Sequence, residues 1–263
     1  MTPAQLSRTL RLALDRAVAA GALPPPAGPP HRVTLRRPPH GAADYASNLA
    51  LRLAPGTARP AREVAAVLRA HLAGAPGIAA VDVAGPGFLN ITLAPDARPG
   101  PVRELLARPE PARLPEDPAR DAARWARVTG APPTHERRAT NPLFRVQYAH
   151  ARTRALGAGA RALGFRAEPG ACGGAPCPAE RELTALLADA DRVAGAGDDA
   201  ALARHLVRTA DTFFDLHDAR PVLPSGDEKP GAAHRARLAF AEATGTVLAG
   251  GLTQLGISAP EHL

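Results

Sequence analysis

The stretch Asn141-Pro-Leu-Phe-Arg-Val-Gln-Tyr-Ala-His-Ala-Arg-Thr-Arg-Ala-Leu156 decides how the second half of the chain is read. Asn141 is suited to cap free backbone amides, and Pro142 fits the first helical turn, where its missing N–H needs no partner. A helix is therefore predicted from about Pro142. At about 3.6 residues per turn, Arg145 and Arg152 fall along one line and His150 and Arg154 along another, with Phe144, Tyr148 and Ala151 on a third, largely apolar face. On periodicity alone two readings stand: a solvated charged face over a packed core, or a basic surface turned toward a polyanion.

Working outward, the sequence on both sides is helical. Asp-Ala-Ala-Arg-Trp-Ala-Arg-Val-Thr from Asp121 offers Trp125 as one large anchor. Beyond the basic helix, Leu183, Leu186, Leu187, Ala190 and Val193 form an apolar stripe closed by Gly195 and Gly197. Asp198 then caps a helix carrying Leu202, Leu206 and Phe213, and a last helix from about Ala232 to Leu255 aligns Leu238, Ala241, Gly245, Leu248 and Leu252. Helix after helix with short polar joints predicts an all-α bundle.

The first half is mixed. Leu6, Leu10, Leu14 and Val18 make one stripe on a helix over residues 4–20, ended by Gly21 and the proline-rich Leu23–Pro30. His-Arg-Val-Thr-Leu-Arg-Arg-Pro from His31 reads as a short strand with a basic face that includes Arg32 and Arg36, with Arg37 following. Ala-Asp-Tyr-Ala-Ser-Asn-Leu-Ala-Leu-Arg-Leu-Ala from Ala43 reads as a second amphipathic helix, because Tyr45, Leu49 and Leu53 recur every four residues. A third helix opens at Pro60 with Val64, Val67, Leu68 and Leu72 inward. Strands from Ile78 and from Phe88 follow, joined by Gly85-Pro86-Gly87, a turn tight enough for a hairpin. The predicted fold is thus an α+β N-terminal domain, a small antiparallel sheet with helices, over residues 1–96. A proline-rich linker over 97–118, around a short Val-Arg-Glu-Leu-Leu-Ala helix, leads into an all-α helical bundle over 119–263.

Composition sets the limits. With 263 residues, 32 basic against 25 acidic, and a net charge of +7, the chain favours an acidic partner such as nucleic acid. Lys229 is the only lysine and aromatic residues are just 3%, which restricts any contact built on base stacking to a few rings. No apolar run is long enough to span a membrane and the N-terminal helix is no secretory signal, so a cytoplasmic protein is expected. Cys172 and Cys177 stand in Cys-Gly-Gly-Ala-Pro-Cys with no second thiol pair and no nearby histidine. A zinc site lacks its ligands, and ordinary reduced thiols or a redox pair remain. Gly-Ala-Gly-Ala-Arg-Ala-Leu-Gly from Gly157 continues a helix instead of following a strand, against a phosphate loop. His205, His217, Asp211, Asp215 and Asp218 read as a charged helix surface in preference to a metal cluster. No catalytic residue, metal ligand or cofactor site is predicted.

Val146-Gln-Tyr-Ala-His-Ala-Arg152, after its Asn-Pro, resembles the segment that enters the C-terminal, DALR-type anticodon-binding domain of arginyl-tRNA synthetases. Leu238–Thr244 and the closing Gly-Ile-Ser-Ala-Pro-Glu resemble that domain's end. Asp44, Tyr45, Ala46, Asn48 and Leu49, then Gly85 to Asn90, are similar to the N-terminal additional domain of the same family, in the same order. The resemblance implies that Phe88 and Asn90 meet the outer corner of a tRNA, near its D-loop. A phenylalanine stacks on an unpaired base and an asparagine reads a base edge; the alternative is that Phe88 is core and Asn90 an edge-strand polar group. By the same resemblance, Tyr148 and the C-terminal helix would give specificity at the other end. Arg36, Arg37, Arg145, Arg152 and Arg154, with His150 beside them, form the rest of the predicted tRNA surface, the arginines neutralising phosphates. Arg145 stands where the family often has an aromatic residue.

In full-length members a nucleotide-binding catalytic domain lies between the two matched halves. Here only the proline-rich stretch separates them, and no His-x-Gly-His occurs anywhere. The reading is therefore a non-catalytic, tRNA-binding paralogue whose partner is tRNA, with arginine tRNA as the class implied. Two alternatives stand beside it. One is arginine-tRNA ligase activity with a separately supplied catalytic subunit. The other is a module that binds a protein such as the full-length synthetase.

Overall fold

The computed structural model describes residues 1–26, 33–38, 41 and 43–263, which divide into two compact units, Met1–Gly100 and Pro101–Leu263.

In the first unit, Thr2 opens helix α1 (Pro3–Ala19): its hydroxyl accepts from the Gln5 amide while the Gln5 side chain accepts from the Thr2 amide. Leu6, Leu10, Ala13, Leu14 and Ala17 are buried, as the stripe predicts, with Val18 partly covered. Strands β1 (Leu35–Arg36), β2 (Tyr45–Ser47), β3 (Ile78–Ala84) and β4 (Phe88–Leu93) form one antiparallel sheet in the order β1-β2-β4-β3. Helices α2 (Leu49–Leu53) and α3 (Ala61–Leu72) complete the unit. Leu89, Ile91 and Leu93 on β4 point into a core shared with Leu6, Leu10, Val64, Leu68 and Leu72. The hairpin stands where the Gly-Pro-Gly turn predicts it.

Two expectations are corrected here. The helix read from Ala43 begins only at Leu49, because Tyr45–Ser47 pairs with β4 as a strand (Tyr45 opposite Ile91, Ser47 opposite Leu89). The four-residue recurrence of Tyr45 and Leu49 is real, but sheet pairing outweighs it: the Asp44 amide donates to the Ile91 carbonyl, and the Asp44 carboxylate accepts from the Leu93 amide at 2.8 Å. The strand read from His31 is a ladder only at Leu35–Arg36, and His31 and Arg32 lie outside the described residues.

The second unit is helical. The stretch read as a linker holds α4 (Gly100–Leu106), whose Val102 and Leu105 are buried in the core of this unit, and then an extended strap. Arg108 donates both guanidinium ends to Asp191 at 2.7 and 2.6 Å, and Thr253 donates to the Ala112 carbonyl at 3.2 Å. Helices α5 (Pro118–Thr129), α6 (Pro142–Ala162), α7 (Pro178–Ala194), α8 (Asp199–Ala219) and α9 (Ala232–Gln254) form the bundle, with Trp125 buried as its anchor. The stripes on α7, α8 and α9 are buried as predicted, and Gly157 and Gly159 lie inside α6. The crossing of α6 and α9 depends on Gly245, where a Cβ would sit 2.5 Å from the Thr153 hydroxyl. Among the described residues, no helix is long and apolar enough to cross a membrane.

Candidate nucleic-acid interface

In the first unit, register defines the surface. Arg36 pairs with Ala46, Ala46 with Asn90, and Asn90 with Asp82, so these four residues form one row across the sheet. The neighbouring positions on β4, Leu89 and Ile91, are fully buried, which turns the Asn90 row to the open face because alternate residues take opposite sides. Phe88 lies on the same side, 39% exposed, directly after the turn. That turn is pressed onto the start of α3: Gly87 has φ 137°, and a Cβ there would lie 2.8 Å from the Ala61 backbone. Arg62 adds a hydrogen bond to the Gly85 carbonyl at 3.1 Å. Phe88 is thus an exposed ring on a braced turn and not a core residue, and Asn90 is half-buried in the middle of the sheet. Arg36 and Arg37 are both exposed at the β1 end.

In the second unit, α6 divides the motif between two faces. Arg145, Tyr148 and Arg152, at i, i+3 and i+7, turn toward α8. Tyr148 is 44% exposed and stacks on Phe144 and on Phe214, each with centroids 5.7 Å apart. Arg145 pairs with Asp211 and lays its guanidinium over the Phe214 ring, 5.2 Å from the centroid. A charge therefore takes up the end of the aromatic ladder. One turn on, Arg152 Nη2 donates to His217 Nε2 at 3.2 Å, and the His217 ring stacks on Phe213. Burial, reinforced by the Arg152 charge, holds the His217 pKa below its ordinary value.

Gln147, His150 and Arg154 share the same spacing but face the C-terminal tail. Asp121, buried on α5, is the centre of that contact: its carboxylate accepts from the Ser258 amide at 3.2 Å, from the Ser258 hydroxyl, from Gln147 Nε2 at 3.4 Å and from Arg120. Gln147 also donates to the Ser258 carbonyl at 3.0 Å. His150 is 6% exposed, and its Nδ1–H donates to the Pro260 carbonyl at 2.8 Å. Burial lowers its pKa, so the neutral ring is favoured. His150, expected on the tRNA surface, is placed by the structure against the C-terminal tail instead. Arg154 binds Glu110 and Glu261, each at 2.8 Å, and Arg113 closes the ring by meeting the same two carboxylates. Two arginines and two glutamates leave this ring neutral, so the structure does not bring Arg154 together with Arg145 and Arg152.

The sequence reading overlooked Phe214, and it took Asp211 and His217 only for a charged helix surface. The signal for Phe214 was present: Phe213 and Phe214 are adjacent, so a helix that buries one must present the other elsewhere. Both cysteines are free, and burial pushes the Cys172 thiol up to about 12. Arg237 holds the Cys172 carbonyl at 3.0 Å and Arg220 meets Glu180 at 2.9 Å, which anchors the Cys-Gly-Gly-Ala-Pro-Cys loop. Among the described residues no group of histidine, cysteine and acidic side chains could hold a metal ion.

Comparison with known proteins matches residues 4–93 to the arginyl tRNA synthetase N terminal domain and residues 146–263 to the DALR anticodon binding domain. An arginine-tRNA ligase of Frankia alni is 53% identical over 98 residues, covering 37% of this chain and 17% of the relative. One from Kineococcus radiotolerans is 52% identical over 97 residues, 35% of this chain and again 17% of the relative. This chain therefore spans under a fifth of the length of these curated relatives. A solved Thermus thermophilus arginyl-tRNA synthetase aligns over 64% of this chain and 31% of its own, with 23% identity and a TM-score of 0.39.

Proposed function

The chain belongs to the arginyl-tRNA synthetase family, and on that premise we propose that it binds transfer RNA at two places without charging it. The observation that carries this reading is the stacked ladder of Phe144, Tyr148 and Phe214, with Tyr148 exposed between its half-buried neighbours and the exposed Arg152 one turn on, in the domain matched as anticodon-binding. An exposed aromatic ring one turn from a cation suits an unpaired loop nucleotide, whose base stacks while its phosphate meets the charge. On the first unit, Phe88 stacks a second unpaired base, Asn90 reads an edge, and Arg36 and Arg37 meet phosphates. An arginine-accepting tRNA is the class that the family premise favours.

Residues 94–145, between the two matched spans, hold α4, α5, the first turn of α6 and no strand. A doubly wound nucleotide-binding domain takes roughly 100 residues or more. Aminoacylation by this chain alone is therefore not part of the proposal, and arginine-dependent pyrophosphate exchange into ATP is expected to be absent from the purified chain.

Fluorescence anisotropy with total tRNA tests the binding. Raising salt from about 50 to about 200 mM should weaken the complex about tenfold or more, as release of counterions from several phosphate contacts requires. Absence of binding at low salt, or affinity indifferent to salt, overturns the reading. Competition between isoacceptors then tests the preference for arginine tRNA.

A further inference from the structure

The groove between α6 and α8 has three rungs along its length: Arg145 with Asp211, Tyr148 with Phe214, and Arg152 with His217. Successive rungs are about one helical turn apart, roughly 5–6 Å, close to the distance from a nucleobase to its own phosphate. The first rung is a closed ion pair and offers a phosphate no net charge. The third rung differs. Arg152 is exposed, and among the described residues it meets a neutral imidazole nitrogen and no carboxylate, so its charge is not offset.

Resting on the proposed tRNA binding, we infer that His217 is a second phosphate ligand beside Arg152, and that one nucleotide sits across the last two rungs, its base against Tyr148 and its phosphate between Arg152 and His217. Binding then takes up a proton. In the free protein Nε2 must be unprotonated to accept from Arg152, which leaves the hydrogen on Nδ1. That atom is buried without a hydrogen-bond partner. The void beside the ring is only ≈ 10 Å³, too small for a ligand, so Nε2 is the atom available from outside. A phosphate arriving there engages Arg152, removes the need for Nε2 to accept, and makes the imidazolium, with a donor on each nitrogen, the favoured form.

The charges around the ring explain why the proton is absent beforehand. Arg152 faces it from α6 and Arg237 from α9, Arg220 lies just beyond its own helix, and Asp218 is a carboxylate that favours the charged ring. Arg220 and Arg237 are committed to Glu180 and to the Cys172 and Pro221 carbonyls, so Arg152 is the cation a ligand is positioned to draw away. The direction of the pH effect follows. A group whose pKa rises on binding contributes affinity that is fully present below its free-state pKa and is lost as pH rises through its bound-state pKa. Affinity for tRNA therefore increases from about pH 8 to about pH 5.5.

The test is anisotropy of wild type, His217→Gln and His135→Gln with total tRNA across that range at fixed salt. Wild type and His135→Gln, whose histidine lies in an exposed loop, are expected to bind about fivefold to tenfold more tightly at the acid end, and His217→Gln to lose that gain. A parallel measurement on the wild type, following the His217 ring nitrogens by NMR, should show the protonation midpoint moving upward when tRNA is added. An equal pH dependence in His217→Gln, or a midpoint that stays in place, overturns the inference while leaving tRNA binding intact. No tRNA binding at any pH sinks the underlying reading, and this inference with it.

Discussion

Arg145, Tyr148 and Arg152 leave helix α6 at the same spacing as Gln147, His150 and Arg154, yet the two triplets end in opposite environments. The first lies in a surface groove, where the Tyr148 ring is exposed and Arg152, among the described residues, meets only a neutral imidazole. The second is spent inside the unit: Gln147 and His150 hold the tail through the Ser258 and Pro260 carbonyls, and Arg154 joins a neutral charge ring. One short motif thus supplies both the proposed binding face and the clamp that keeps this face in place. Identity of residue type, an arginine or a ring with a polar edge, does not say which role is played. Helical phase does, because a shift of two residues turns a side chain about 200° around the axis.

The sharpest way to break this comparison is at Asp121. Its carboxylate is buried and accepts from Ser258, Gln147 and Arg120 together. Asp121→Ala leaves those donors unpaired in a site closed to water, at a cost of roughly 2–4 kcal/mol of unfolding free energy. Urea denaturation would measure it. A loss below about 0.5 kcal/mol would mean that the tail is not clamped as described. Tyr148→Ala should act the other way round. Removing a ring that is 44% exposed is expected to weaken tRNA binding by about 1–3 kcal/mol, read by anisotropy, with a smaller effect on unfolding. A variant that unfolds readily but binds normally would put Tyr148 on the structural side.

His150 sharpens the comparison through pH. Its folded-state pKa is lowered by burial, so the unfolded chain binds the proton more readily. The neutral, buried ring therefore contributes its full share of stability above the ordinary histidine pKa, and that share is lost as pH falls below it. His150→Gln should flatten the fall in stability on the acid side relative to wild type, measured by denaturation at a series of pH values. If the two slopes coincide, the ring is not shielded as its contact with Pro260 implies. His205 and His217 also titrate low for the same reason, so the comparison must be between variant and wild type and not with a flat line.

Much of this was legible in the sequence, and the exceptions share a cause. The helices of the second unit follow from stripes of leucine and alanine, and their caps at Asn141 and Asp198 from local chemistry. Where partners are distant in sequence, local patterns misled. Tyr45 recurs in helical phase with Leu49, but pairing with Ile91 makes it a strand. His150 looks like an outward polar residue until Pro260, more than a hundred residues away, folds over it. The row of Arg36, Asn90 and Asp82 required the register of four strands, which no single strand encodes. Phe214 and His217 depended on which face of α8 meets α6, a matter of bundle packing and not of periodicity within α8.

The smallest expected effect gives the most selective test. Arg152→Ala and Arg154→Ala each remove one positive charge from the same helix, two residues apart, so any long-range attraction between the protein and RNA falls equally in both. What differs is the local role. Among the described residues Arg152 has no carboxylate partner, and its loss should weaken tRNA binding and lower the salt slope by about one unit. Arg154 is balanced by Glu110 and Glu261, and pairs this exposed contribute little individually, so its loss should cost below about 1 kcal/mol of stability by urea denaturation. It leaves Glu110 and Glu261 to Arg113 and the α6–α8 groove unaltered, and its salt slope should stay near that of wild type. Equal slopes for the two variants would mean that RNA responds only to net charge, and the division of α6 into a binding face and a clamping face would then fail.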